Sequence, residues 1–241
     1  MSRIEKNNLM YPALLFFILI ITAQGLADNR RYAWTYEYQT LPRGKGEIES
    51  YFTLSAPRIN QMKGVTASEH QLELEVGMTD RFDIAIEQIF RQNPGVALSY
   101  QGYEFRARYR ISEKGKYFFD PLIFLEYKGV ADFSKHEIEW RLILAKDIDR
   151  WNISLNPTLS FEREDEWITK PEYAIGAGYD ISDLFRIGLE AKGSEEGNYI
   201  GPVISHGRDN LWVALGSAFK IGTIKNGIPG FQIRMLLGVG L

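Results

Sequence analysis

The sequence predicts an all-β protein, a transmembrane antiparallel up-and-down β-barrel of about twelve strands. From residue 47 onward, stretches of about ten residues alternate apolar and polar side chains, with turn-forming residues between them. No stretch of the chain is continuously apolar over the roughly 20 residues that a membrane helix needs. An even number of strands also places both ends of the barrel on one side of the membrane, as export from the N-terminus requires.

The first 27 residues have the pattern of a secretory signal peptide. Basic residues precede an apolar run at 13–21, and Gly25-Leu26-Ala27 supplies the small residues of a cleavage site. The chain then divides into a signal peptide (1–27), a periplasmic N-terminal segment (28–46) and an outer-membrane β-barrel (47–241). The composition of the segment also fits a stretch tucked into the lumen or an extra strand, so its placement stays open.

The alternation assigns each strand an apolar face and a charged face. In the stretch 98–111, aromatic and small side chains take the odd positions, whereas Glu104, Arg106, Arg108 and Arg110 take the even ones. Successive side chains of a strand point to opposite faces, so the charged residues should line the lumen. The predicted lumen-lining residues are Glu47, Glu49, Glu69, Glu73, Glu75, Asp83, Glu87, Glu104, Arg106, Arg108, Arg110, Asp120, Glu126, Glu137, Glu139, Arg141, Glu172, Arg186, Glu190, Lys192 and Arg234.

The same alternation of apolar and polar residues predicts the strand boundaries and the register. The predicted strands are 47–56, 68–78, 81–90, 98–111, 117–128, 136–146, 151–162, 168–180, 184–193, 198–205, 209–221 and 229–241. The links after even-numbered strands are short, as periplasmic turns are. Pairing across the 112–116 turn predicts Arg108 opposite Asp120, and pairing across the eighth turn predicts Glu172 against Lys192.

Three prolines interrupt this pattern. Pro121, Pro157 and Pro202 fall within predicted strands, although proline lacks the N–H that a ladder needs and a closed barrel has no free edge. We therefore expect bulges or displaced strand boundaries at these three positions.

Composition excludes several classes of function. The formal net charge is −3 without a basic block, so the chain is not predicted to bind nucleic acid. Cysteine is absent, which removes disulfides and thiolate chemistry. The histidines, His70, His136 and His206, lie on separate segments without metal-ligand spacing, and there is no G-x-S-x-G pattern. We expect no catalytic residue, metal or cofactor.

The polar lumen therefore suggests a non-enzymatic barrel in the outer membrane. It is either a narrow channel for small polar or cationic solutes or a closed scaffold held by salt bridges. Acids outnumber bases in the predicted lumen, and they concentrate in the first three strands, so a conducting lumen should prefer cations. An outer-membrane enzyme acting on lipids and a soluble periplasmic β-barrel or sandwich binding an apolar ligand remain alternatives. The expected partners are outer-membrane lipids and the barrel-assembly machinery.

The leader, the strand alternation and the glycine-containing last stretch resemble the Gram-negative outer-membrane β-barrels. More loosely, the opening Trp34-Thr35-Tyr36-Glu37-Tyr38 and the overall layout are similar to small transporter-like barrels grouped with aromatic-degradation pathway proteins. In the broad family the last strand ends in an aromatic residue that the assembly machinery recognises. Here Leu241 takes that position.

The leader yields a first testable prediction: the signal peptide should be removed after Ala27. Small residues precede this bond, and the polar sequence Asp28-Asn29-Arg30-Arg31 follows it. N-terminal sequencing of protein purified from membranes should read from Asp28. A membrane-purified protein that still begins with Met1 would contradict export through a cleaved leader.

Overall fold

A computed structural model describes residues 29–163, 166–208 and 210–241, and the proposed cleavage site lies outside these residues. The described chain forms twelve β-strands. They are β1 Gly46–Ala56, β2 Ala67–Thr79, β3 Phe82–Gln92, β4 Ser99–Arg110, β5 Asp120–Val130, β6 His136–Ile148, β7 Trp151–Arg163, β8 Trp167–Asp180, β9 Phe185–Ser194, β10 Gly197–Arg208, β11 Leu211–Ile221 and β12 Phe231–Gly240.

The strands form one closed barrel in which each strand pairs with its neighbours in the chain. The ring closes through antiparallel pairing of β1 with β12, from Glu47 opposite Gly240 to Ala56 opposite Phe231. The predicted twelve-stranded up-and-down β-barrel is confirmed. Within the described ranges, no helix is long and apolar enough to cross a membrane.

The outer face of the barrel wall is apolar and the inner face is largely polar, the reverse of the arrangement in a soluble protein. Large apolar side chains such as Leu72, Ile86 and Phe105 are exposed on the outside, whereas charged side chains such as Glu75 and Asp83 are buried inside. A soluble protein of this size rarely exposes apolar side chains on every strand. This distribution is the one that a barrel surrounded by lipid requires.

The links distinguish two ends of the barrel. At one end, called the short-turn end, tight links such as 80–81, 149–150 and 181–184 join the strands. The opposite end, called the long-loop end, carries the links 57–66, 93–98 and 222–230. One link departs from the prediction, because the connection between β4 and β5 at the short-turn end extends over 111–119.

That longer link explains an error in the predicted register. Arg108 lies opposite Phe124 rather than Asp120, a displacement of four residues. The consecutive aromatic residues Tyr117, Phe118 and Phe119 do not alternate with polar ones, and they remain in the link instead of opening β5. The second register was wrong by two residues, since Glu172 lies opposite Ser194 and Lys192 opposite Ala174. Both predicted pairs keep the face assigned to them.

The expectation at the prolines is correct at one position and wrong at the other two. β5 begins at Asp120 instead of the predicted 117, so the displaced boundary lies beside Pro121. Pro157 and Pro202 lie inside continuous strands and have opposite partners in β8 and β9 respectively. Toward β6, Pro157 has no paired residue, and Pro202 has none toward β11, yet the register continues unchanged past both. The loss of one backbone N–H donor at a proline therefore leaves the strand register unchanged. The register shifts occur on either side of β3 instead, between Gly77 and Thr79 and between Ile89 and Phe90.

The outward apolar face yields a prediction about stability. Ile86 lies near the middle of β3 on the outer face, so Ile86→Arg should lower the free energy of unfolding in lipid by about 2–4 kcal/mol. Urea unfolding in phospholipid vesicles measures the change. Ile59, which is exposed in the link 57–66, provides the control, and Ile59→Arg should change stability by less than about 0.5 kcal/mol. Equal effects of the two substitutions would argue against a lipid-facing β3.

Candidate functional site in the barrel lumen

Residues 29–45, here called the N-terminal plug, lie inside the barrel rather than as a separate segment beyond it. Of the three placements that the sequence left open, this is the one tucked into the lumen. Glu190 of β9 accepts the backbone N–H groups of Ala33, Trp34 and Thr35 at 2.8, 2.9 and 2.8 Å. In the part of the chain that the structure describes, residues 29–43 of the plug make no backbone–backbone bonds to the wall, so their donors need such side-chain acceptors, whereas Gly44 and Lys45 bond to the backbone of Gly77 in β2. Glu190 is 3% exposed, which makes these charge-assisted bonds strong ones.

Polar side chains of β7 hold the next part of the plug. Asn156 accepts the N–H of Tyr36 at 2.6 Å, and its amide donates back to the carbonyl of Tyr36 at 3.0 Å. The Ser154 hydroxyl donates to the same carbonyl at 2.6 Å. The Tyr32 hydroxyl lies 2.9 Å from Oδ1 of Asn152. Three of the plug's polar groups, the Tyr36 N–H, the Tyr36 carbonyl and the Tyr32 hydroxyl, are thereby satisfied by one strand of the wall.

The wall provides space for the plug by means of glycine. A Cβ atom at Gly176 of β8 would lie 2.6 Å from the Tyr32 ring, and one at Gly216 of β11 would lie 2.6 Å from Cβ of Ala33. Neither position could carry a side chain without moving the plug. The close approach of plug and wall therefore depends on the absence of side chains at these two positions.

The hydrogen bonds between plug and wall show that the plug fills the half of the lumen nearest the short-turn end. Leu41 N–H donates to Asp83 at 3.0 Å, near the start of β3. Arg31 donates to Asp180 at the end of β8 at 2.9 Å and to Glu37 within the plug at 2.7 Å. The Tyr38 hydroxyl donates to the Ser112 carbonyl in the link 111–119. All these wall contacts lie near the short-turn end.

Two apolar clusters inside the barrel also pack on the plug. One joins Tyr38 to Leu122, Phe124 and Ile143, with Ala145 beside them. The other is formed by Tyr32, Ala33, Tyr51, Val203, Trp212, Ala214 and Leu236. The lumen-lining prediction, which considered charged residues alone, did not include these residues. Their signal was present in the sequence as apolar side chains in the inward phase of β5, β6, β10, β11 and β12.

Beside the plug, buried arginines neutralise the acidic strands. Arg106 bonds to Glu73 at 2.6 Å and also to Glu75. Arg108 bonds to Asp83 at 2.8 Å and shares Glu75 with Arg106. All of these side chains are nearly inaccessible to solvent. The arginines of β4 therefore bind three of the seven carboxylates that make up the acidic surplus expected in the first three strands.

The sequence suggests Asp83, Glu87 and Asp120 as partners of the β4 arginines, and of these Asp83 binds Arg108. Glu87 and Asp120 do not bind the β4 arginines in the described structure; Asp120 instead accepts the Gly115 N–H at 2.5 Å. Arg110 donates to the Asp80 carbonyl. Glu49, Glu73 and Glu75 bring one carboxylate oxygen each within 4.8 Å of one another, a geometry that could hold a cation. Arg106 already contacts two of these carboxylates, so the cluster is internally compensated.

The remaining predicted lumen residues are distributed over the other strands and over β1 and β2. Lys128 bonds to Glu126, Glu137 and Glu139 at 3.4, 3.2 and 3.0 Å. The other contacts are Arg141 with Glu139, Arg186 with Asp180, Glu69 with Arg91, Glu47 with Trp212, and Arg234 with Thr53.

Above the plug, toward the long-loop end, the lumen contains a cavity of about 420 Å³. Its floor includes the plug residues Trp34 and Tyr36, and its lining reaches Pro229 in the link 222–230. Its charged lining residues are Glu87, Glu104, Glu126, Lys128, Arg141, Glu172, Lys192, Glu196 and Arg234. The predicted lumen residues thus separate into a set packed around the plug and a set facing this cavity.

The histidines do not converge on a catalytic site. His70 packs against Phe52 with ring centroids 4.6 Å apart, and His136 lies 2.7 Å from the Tyr127 hydroxyl. His206 contacts the Leu184 carbonyl at 2.9 Å. All three belong to the outward phase of their strands, so none can pair with a lumen carboxylate.

Comparison with known proteins addresses the fold. A scan against protein-family models and a search of curated proteins found no match. Among solved structures, the COG4313 outer membrane channel from Pseudomonas putida F1 matches with a TM-score of 0.60 and 11% identity, covering 85% of this chain and 98% of that one. The KdgM porin matches with a TM-score of 0.57 and 14% identity, covering 80% and 97%. The NanC porin matches with a TM-score of 0.53 and 9% identity, covering 80% and 98%. This chain therefore has the fold of the outer-membrane β-barrels.

Proposed function

We propose that this protein is a non-enzymatic outer-membrane channel for small polar solutes, closed at its short-turn end by the N-terminal plug. One observation carries the proposal: a charged cavity extends from the long-loop end down to the plug. Outer-membrane barrels place short turns in the periplasm and longer loops outside. Solutes would therefore enter the cavity from outside the cell and meet the plug before the periplasm.

The plug is suited to act as a gate because its residues 29–43 lie outside the hydrogen-bonded ladder, with Gly44 and Lys45 tethered to Gly77 of β2. Its displacement would break side-chain bonds to Glu190 and Asn156 but would leave all twelve strand pairings in place. The barrel could therefore open without unfolding. In a closed salt-bridged scaffold the plug would instead keep these contacts permanently. A measurement of conductance decides between a channel and a scaffold.

The alternative of a lipid-modifying enzyme has less support. Its catalytic residues would need to meet at one point, whereas the three histidines occupy separate outer positions. The wide outer apolar face also argues against the soluble periplasmic alternative, since water would surround it. Outer-membrane lipids are accordingly the proposed surroundings of the barrel, and the barrel-assembly machinery is its proposed partner during insertion.

The plug yields a prediction about conductance. Glu190→Gln keeps the shape of the side chain but removes the charge that binds three N–H groups. Loss of about 1.4 kcal/mol of plug binding should raise the frequency of openings about tenfold. Deleting residues 29–45 should give a permanently larger conductance. Single-channel recording in planar bilayers measures both effects.

A control separates this effect from a general change of charge. Glu113 is exposed in the link 111–119, and Glu113→Gln should leave the opening frequency unchanged. Gly176→Leu should act in the same direction as Glu190→Gln, because its side chain collides with Tyr32. A folded barrel that stays silent after deletion of residues 29–45 would favour the closed scaffold.

Selectivity provides a further prediction. In the opened Glu190→Gln channel we expect potassium to permeate more readily than chloride, because carboxylates slightly outnumber bases around the cavity. The preference should be modest, and Glu104→Gln should reduce it. Reversal potentials under a salt gradient give the sign. Preference for chloride would show that the cavity carboxylates do not control permeation.

A further inference from the structure

A row of carboxylates crosses the inner wall at one level of the barrel. Glu49 lies opposite Glu73, Glu73 opposite Glu87, and Glu87 opposite Glu104, so four neighbouring strands present glutamate directly against glutamate. Like charges placed directly opposite each other destabilise a sheet. A row of this kind therefore needs cations to compensate it.

The chain compensates only part of the row. Glu73 binds Arg106 at 2.6 Å, and Glu49 has Arg30 of the plug at 3.8 Å. Glu87 forms no ion pair with any residue that the structure describes, whereas Glu104 lies opposite Lys128 of β5; both glutamates line the cavity. Glu87 is only 6% exposed, yet its Oε1 atom has no hydrogen-bond partner. A buried carboxylate oxygen without a donor is costly, which indicates that a donor from solution completes it.

A second group of unmatched charges lies across the same cavity. The Lys192 ammonium lies 4.5 Å from the centroid of the Trp34 ring, and the Arg234 guanidinium lies 5.8 Å from it. Arg234 also donates to Thr53 at 2.9 Å. Within the described ranges neither cation pairs with a carboxylate, and aromatic faces are their principal neighbours. Both side chains line the cavity and can receive an anionic group.

Strand order places Glu87 and Lys192 on facing walls. β9, which carries Lys192, is six strands from β3, which carries Glu87, in a ring of twelve. These two strands are therefore diametrically opposed. The other charges of the lining are mixed in sign, so the field that orients a dipolar solute is the one between Glu87 and Lys192.

We propose, as a refinement that rests on the proposed channel, that the cavity selects zwitterionic solutes carrying an ammonium group and a carboxylate. The ammonium group binds Glu87 and Glu104, and the carboxylate binds Lys192 and Arg234. A simple cation would leave Lys192 unmatched, and a simple anion would leave Glu87 unmatched. A zwitterion compensates both groups at once, and its own dipole aligns with the field between them.

Three probes of similar length test this proposal on the full chain in detergent: 6-aminohexanoate, hexylamine and hexanoate. Titration calorimetry and Trp34 fluorescence report binding without requiring conductance, and Trp34→Phe identifies the contribution of that indole. We expect 6-aminohexanoate to bind at least tenfold more tightly than either singly charged probe. Glu87→Gln should reduce this advantage over hexanoate, and Lys192→Gln should reduce the advantage over hexylamine. Glu113→Gln is the control and should change neither.

The outcomes separate the inference from the proposed function. Binding of hexylamine as tight as that of 6-aminohexanoate would overturn the zwitterion site in favour of a cation site, and equal binding of hexanoate would favour an anion site. Failure of all three probes, with conductance retained in Glu190→Gln, would reject the inference and leave the channel standing. Tight zwitterion binding without conductance after plug deletion would instead reject the channel. Heat-dependent gel mobility verifies folding, and Lys192→Gln tests the site independently should Glu87→Gln not fold.

Discussion

Closure of the sheet between β1 and β12 is the constraint on which the rest of this structure depends. Lipid offers no hydrogen bonds, so each backbone group of a membrane-crossing sheet must pair within the sheet. Twelve strands meet this requirement only as a ring, and the ring creates an interior that water can reach. Alternation then sends apolar side chains such as Ile86 outward and charged neighbours such as Glu87 inward. The lumen and its chemistry are thus consequences of satisfying the backbone.

An enclosed interior must in turn be filled or hydrated, and this chain does both. In the short-turn half, the plug supplies backbone donors to Glu190 and aromatic side chains to apolar clusters around Phe124 and Trp212. In the long-loop half, the interior remains a cavity. The division explains why the charged residues behave differently along the barrel. Arg106 and Arg108 are locked in ion pairs beside the plug, whereas Lys192 and Arg234 stay available above it.

The division of the lumen into a half filled by the plug and a half left as a cavity also supports the proposed channel. A gate made of a chain end can move at the cost of side-chain contacts, while a gate made of a strand would break the ring. The four-strand row from Glu49 to Glu104 lies at the boundary between the two halves: its first two members are compensated by arginines, and its last two face the cavity. The proposed binding site therefore lies where the glutamates of the row are no longer paired with arginines of the chain.

The sequence alone determined the fold class, the strand number and the face of each charged residue, because alternation along a strand is a local property that one segment displays by itself. It did not determine the register across 111–119, since the non-alternating residues Tyr117 to Phe119 conceal where β5 begins. It determined partners only in part: Arg108 binds Asp83, as the sequence suggests, but it also binds Glu75 and does not lie opposite Asp120, because side-chain pairing depends on the register between neighbouring strands. Only the tertiary structure placed the plug, whose bonds to Glu190 join residues more than 150 positions apart in sequence.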